Sequence, residues 1–187
     1  MNNEKKREEI FAKVKEKYGF VPNIIKELAL SPVVAEAYIT AVKVLEGTSF
    51  TKQEIQAINL ATSTQEGSDY CKTGHTAMGK AAGLDSSDLE LIRAGKDPVD
   101  ERLKALVCAT RAVNKKRGRL ETDDLKCLES KGITRGEIYE IIAVVASKII
   151  PTYVNHIADV EIDQELLDGA CCSGTDSAPE TSASCCS

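Results

Sequence analysis

The sequence predicts an all-α domain followed by a polar, cysteine-rich tail. Three observations carry this. No segment alternates apolar and polar residues with period two, the pattern of a half-buried strand. Apolar residues recur instead at helical spacing through most of the chain. Aromatics make up only 4% of residues and tryptophan is absent, so Ala, Ile, Leu and Val must fill the core, which suits packed helices.

The elements follow in order. In "PNIIKELALSPVVAEAYITAVKVLEG", Ile24, Ile25 and Leu28 are followed by Val34, Ala37, Tyr38, Ala41, Val42 and Leu45 at helical spacing. Pro32, after Ser31, suits the first position of a helix, and Gly47 closes it. Thr51 and Glu54 form a capping box that opens a helix carrying Ile55, Ile58, Leu60 and Ala61, and Gly67 ends that helix. Ser68 is a good N-cap for the next helix, which runs to about Ala82 with Gly83 as its stop. "DSSDLELIRAG" is a short helix, and "DERLKALVCATRAVNKKRG" is a long one with Leu103, Leu106, Val107, Thr110 and Val113 along one face. "ETDDLKCLESKG" is short again. Thr134 and Glu137 form a second capping box before the most apolar run, "IIAVVASKII". That run is too short for a membrane span and Lys148 interrupts it, so it reads as a buried core helix. Pro151 should kink or break this helix, because it removes an amide donor and crowds the preceding turn.

Two parts result, a helical domain over residues 1–168 and a tail over 169–187. The tail, "GACCSGTDSAPETSASCCS", is rich in Ser, Ala, Thr and Gly, has no apolar periodicity and cannot bury a core of its own. The net charge of -5 leaves no basic footprint for nucleic acid. The opening "MNNEKKREEIF" has no apolar stretch of the secretory type, so a cytoplasmic protein is expected. Seven cysteines are unevenly spread: Cys71, Cys108 and Cys127 in the body, Cys171, Cys172, Cys185 and Cys186 in the tail. In a reducing compartment these are reactive, metal-binding or incidental thiols rather than a disulfide framework.

One stretch combines chemistry-bearing residues at a telling spacing. In "EGSDYCKTGHTAMGKAAGL", Cys71 falls in the first turn of the helix capped by Ser68. Unsatisfied amides and the positive end of the helix dipole favour a thiolate there. His75 follows one turn on, on the same face, within reach to take the thiol proton. Ser68 shares that face and its hydroxyl could bond the sulfur. Tyr70 could add a phenolic donor or simply pack. A Cys and a His four apart also arise by chance, and Cys is often just a small buried residue. Spacing alone leaves both readings open.

The same stretch resembles the signature of the alkylhydroperoxidase-D-like, carboxymuconolactone decarboxylase superfamily: C-x-x-C-x-x-x-H on a helix, then small residues ending in Gly-Leu. "FTKQEIQAINLATSTQEG" is similar to the preceding family helix. "VPNIIKELALSPVVAEAY" and "PTYVNHIADVEID" resemble the opening helices and closing motif of its peroxidase-related branch, so the resemblance covers roughly residues 15 to 165. In redox members, the second Cys attacks peroxide and the first closes a disulfide with it. The His and a Glu relay protons, and an external thiol resets the pair. The resemblance puts Cys71 at the second Cys and His75 at the motif His. It puts Ser68 at the first Cys, and Gln56 at the relay Glu twelve positions before that. Serine forms no disulfide, and glutamine carries no proton at neutral pH. The resemblance also implies a homo-oligomer and lets His156 line the same cleft, though a packed histidine is the equal alternative.

The dithiol cycle therefore lacks one sulfur, and the tail offers a replacement. Paired Cys171–Cys172 or Cys185–Cys186 could resolve an oxidised Cys71, or hold a soft metal or metalloid, or be inert. The expected function is a thiol-dependent peroxidase or disulfide oxidoreductase of the peroxiredoxin type. Its partners would be a peroxide or small electrophile and an external thiol reductant, with no membrane or nucleic acid and no required cofactor. The alternatives are a non-redox lyase of the carboxymuconolactone decarboxylase type and a soft-metal-binding protein.

Overall fold

The computed structural model describes residues 3–170. Helices account for all regular structure among these residues: α1 (Asn3–Tyr18), α2 (Asn23–Leu28), α3 (Pro32–Leu45), α4 (Lys52–Glu66), α5 (Asp69–Ala81), α6 (Ser86–Arg93), α7 (Glu101–Lys116), α8 (Thr122–Ser130), α9 (Arg135–Ala158) and α10 (Gln164–Ala170). The predicted all-α class is what forms. Cys171, Cys172, Cys185 and Cys186 lie outside the described residues.

Local chemistry sets most boundaries. Thr51 and Glu54 close the expected capping box at the start of α4, and Thr134 and Glu137 do so at the start of α9. Arg102 of α7 joins the two boxes, donating to Glu54 at 2.8 Å and to Glu137 at 2.5 Å. Gly67 ends α4 in the left-handed region at φ 75°, so only Gly67 and Ser68 separate α4 from α5. Ser68 then caps α5, accepting from the amide of Cys71 at 3.4 Å.

Of the two outcomes expected at Pro151, a kink or a break, the break does not occur: α9 runs through Pro151 for 24 residues and ends at Asp159, whose φ is 45°. Pro151 costs the carbonyl of Ser147 its amide partner. Burial of Ile138, Ile141, Val144, Val145, Thr152 and Asn155 on both sides outweighs that loss. By length and composition α9 could cross a membrane, yet it packs against α2, α3, α4 and α7 as the central helix.

The core has three clusters. One joins α4, α7, α8 and α9 around Ile58, Leu106, Leu128 and Ile141. One joins α4, α6 and α7 around Leu60, Leu89 and Val107. The third gathers α1, α2, α3 and α5 around Val14, Leu28, Ala35 and Tyr70, and it contains Cys71. A short final helix, α10, was not visible in the sequence pattern. It extends through Gly169 and Ala170, two residues into the segment read as tail, and lies along α5. A Cβ built on Gly169 would come within 3.0 Å of Ala77, so glycine permits that approach.

Candidate active site

Cys71 is 3% exposed, on the buried face of α5 one turn before His75, which is 6% exposed. The ring of His75 is tied from the far side by α4. Its Nδ1 donates to Gln56 Oε1 at 2.8 Å. With the amide oxygen accepting, Nδ1 carries the proton and Nε2 keeps its lone pair. Burial, with a smaller push from the charge of Lys148, holds His75 well below the usual histidine range. The imidazole is therefore a neutral base at physiological pH.

The other wall comes from α9, antiparallel to α5. Asn155 Nδ2 donates to Ser68 Oγ at 3.2 Å. One turn back along α9, Thr152 Oγ1 donates to Cys71 Sγ at 3.7 Å. A further turn back stands Lys148, 5% exposed, which interacts with the Cys71 sulfur and whose charge reaches His75. Burial pushes Lys148 below the ordinary lysine range, and the sulfur pulls the other way. Among the described residues it pairs with no carboxylate. Tyr38 of α3 packs on the same cluster, and burial, then the nearby Cys71, raises its phenol, so it stays protonated.

The positions named from sequence separate clearly. Cys71, His75, Gln56 and Ser68 come together. The Ser68 hydroxyl is engaged by the Cys71 amide and by Asn155, so it serves as a cap and an anchor for α9 rather than a bond to the sulfur. Tyr70 faces away from the sulfur. Its hydroxyl donates to Asp163 at 2.5 Å and accepts from the amide of Ile24 at 3.3 Å. Asp163 in turn accepts from the amide of Asn23, so Tyr70 helps fasten α2 to the segment before α10. Burial, then Asp163, pushes the Tyr70 phenol up. His156 does not enter the cleft. It is exposed and stacks on Tyr153 at 6.1 Å. The helix turns it outward although Asn155 beside it is buried. Cys108 lies in a different cluster, with Lys131 donating to its sulfur at 3.4 Å, and Cys127 is half-buried on α8.

Lys148 and Thr152 were missed as site residues, and Asn155 stood out only within the closing motif of the resemblance. Lys148 left a signal, a lone cation inside an apolar run. Thr152 and Asn155 left none that spacing could detect.

The site is covered. Leu166 of α10 and Ile162 before it pack on the cluster holding Cys71. A Cβ built on Gly74 would sit 3.7 Å from Leu166, and Lys80 Nζ donates to the carbonyl of Ala170 at 3.4 Å, so α10 runs alongside α5 from the site outward. A surface groove lined by Lys15, Phe20, Asn23 and Gln164 holds neither Cys71 nor His75.

No protein-family model matches this chain, and no curated protein matches it. Solved structures do. An uncharacterized peroxidase-related protein from Ralstonia eutropha JMP134, described as an alkylhydroperoxidase AhpD core, aligns with a TM-score of 0.76 at 23% identity, over 86% of this chain and 87% of its own. An uncharacterized peroxidase-related protein from Silicibacter sp. TM1040 aligns with a TM-score of 0.72 at 22% identity, over 85% of each chain. A cysteine-to-alanine variant of the debrominase Bmp8, in complex with 2,3,4-tribromopyrrole, aligns with a TM-score of 0.70 at 18% identity, over 87% of this chain and 88% of its own. Likeness at these identities speaks for the backbone, and it agrees with what the Cys–His helix implied: this chain has the alkylhydroperoxidase-D-like fold.

Proposed function

We propose that this protein is a thiol-dependent peroxidase with one nucleophilic sulfur, that of Cys71. The observation that carries this is the buried Cys71–His75–Gln56 line. A neutral imidazole, oriented through Nδ1, stands one turn from a thiol at the start of a helix. His75 takes the thiol proton at Nε2, the sulfur attacks the nearer peroxide oxygen, and the imidazolium returns the proton to the leaving alkoxide. Gln56 holds the ring without exchanging a proton. Thr152 contacts the sulfur, and Lys148 sits close enough for its charge to be felt there. The cover by α10 limits the oxidant to small peroxides. An external thiol, or a tail pair among Cys171, Cys172, Cys185 and Cys186, completes the cycle. No metal or cofactor is required, and a cytoplasmic setting keeps the thiols reduced.

The test is peroxide turnover with a dithiol reductant in the full chain, in Cys71→Ser, and in a chain ending at Ala170. Loss in Cys71→Ser alone assigns the reductant to solution, and loss in both assigns it to the tail. Turnover unchanged in Cys71→Ser, or absent from the full chain, overturns the proposal. Because a debrominase shares the fold, bromide release from 2,3,4-tribromopyrrole is the companion assay. Release without peroxide turnover replaces peroxide by an organic halide as the electrophile.

We also propose a homo-oligomer. The outer face of α9 leaves Tyr139, Ile142, Tyr153 and Ile157 exposed at helical spacing, an apolar stripe of the kind a second copy covers. Light scattering on the purified chain tests it, and a monomer at all concentrations removes it.

A further inference from the structure

We propose that Lys148 supplies the second half of the redox pair: its amine captures the oxidised sulfur of Cys71 as an intramolecular sulfenamide. The inference rests on the peroxidase reading and extends it to how the oxidised state is held.

Three observations lead there. First, the position from which a second thiol would close a disulfide is Ser68, and its hydroxyl is already engaged by the Cys71 amide and Asn155. Second, the thiols that the structure describes besides Cys71 sit on α7 and α8, outside its cluster. Third, α9 presents Lys148, Thr152 and Asn155 in a row along α5. Thr152 contacts the sulfur, and Lys148 stands one turn before Thr152 on the same buried face of α9, where its charge is felt by both Cys71 and His75. A buried ammonium without a carboxylate is costly. A lysine held there against one sulfur needs a reason that packing does not supply.

The chemistry balances. The Cys71 thiol and a peroxide give a sulfenic acid and an alcohol, the sulfur rising by two electrons. A sulfenic acid no longer offers the ammonium the partner that the thiol sulfur does, leaving burial to favour the amine. The ammonium then gives up one proton, which Nε2 of His75 relays to solvent. The freed amine attacks the sulfenyl sulfur, the S–N bond forms as S–O breaks, and the oxygen leaves as water with a second N–H proton. Two equivalents of an external thiol regenerate thiol and amine and leave as a disulfide. The sulfenamide guards Cys71 against further oxidation, as a resolving cysteine would.

The experiment treats the reduced full chain with one equivalent of hydrogen peroxide and reads peroxide consumption, intact mass and a peptide map. The expected result is consumption, a mass lower by two hydrogens, and a peptide from α5 joined through Cys71 to the α9 peptide at Lys148. Dithiothreitol should reverse the link. Lys148→Arg keeps a cation but no attacking amine, so it should consume peroxide and accumulate the sulfenic acid or higher oxides. Consumption with Cys71 joined to any other cysteine, or left as an oxyacid in the unsubstituted chain, overturns the sulfenamide while leaving the peroxidase. No consumption overturns both.

Discussion

Replacing Lys148 by methionine should make the protein more stable and less able to complete its cycle. Lys148 is 5% exposed and, among the described residues, has the Cys71 thiol and no carboxylate beside it. An ammonium taken from water costs several kcal/mol even after relaxation, and exchanging buried ionic groups for apolar ones of similar volume commonly stabilises by about 1–4 kcal/mol. Methionine is unbranched and of similar length, so the cavity cost is small. Removing the lysine strands no charge, because a thiol can take up a proton where a carboxylate at neutral pH would stay ionised. A domain of this size gains about 2–4 °C in Tm per kcal/mol. The pH dependence is a sharper check. The folded-state value of Lys148 is lowered from 10.5, so the unfolded chain binds the extra proton. Its contribution is fully present above about pH 10.5 and is lost as pH falls from there toward the folded value. The advantage of Lys148→Met should therefore be large at pH 7 and narrow toward pH 10.5. Urea unfolding of both chains across that range measures it. A less stable Lys148→Met protein at pH 7, or a gap that ignores pH, would refute the reasoning.

Further outcomes are expected. Ser68→Cys supplies the missing sulfur within the first turn of α5 and should give a reversible loss of two thiols on oxidation. It should cost about 1 kcal/mol through the weakened cap, read by thiol titration and denaturant melts. Gln56→Glu places a carboxylate on Nδ1 of His75, so the acidic limb of the pH–rate profile should move up from a position well below 6.5. The unsubstituted protein should keep its rate as pH falls through 6.5. The stability that neutral His75 contributes is present above 6.5 and drains away below it. Tyr70→Phe leaves Asp163 without its phenolic donor and the Ile24 amide without its acceptor, at a cost of about 2–3 kcal/mol, with Cys71 chemistry otherwise intact. Gly169→Val collides with Ala77 and should speed labelling of Cys71 by thiol reagents, measured by stopped-flow.

What could be read from sequence was local. Both capping boxes, the Gly67 stop and the Ser68 cap each depend on a few neighbouring residues, and each formed. The Cys71–His75 face follows from helical periodicity. Gln56 required the family resemblance to single it out, and its bond to His75 joins two helices across one tight turn. Lys148, Thr152 and Asn155 stand some eighty residues from α5, and nothing in a single sequence fixes the register of α9 against it. His156, left open between the cleft and simple packing, falls outside the cleft for a related reason. One residue along a helix rotates a side chain by about 100°, which separates it from buried Asn155. Pro151 was read by propensity, and tertiary burial carries the helix through it without a break. Seven residues without a strong cap gave α10 no signature of its own.

The cover that α10 lays over Cys71 has a kinetic consequence. A short helix near the end of the described chain, with no fully buried residue of its own, opens at far lower free energy than the whole domain unfolds. If bulky thiols reach the sulfur only in the open form, reduction will have a ceiling: its rate will rise with thiol concentration, then flatten at the opening frequency of α10. A small peroxide that slips past the closed helix meets no such ceiling. Oxidation and reduction of one sulfur would then obey different rate laws, and α10 would set how long the oxidised state lasts.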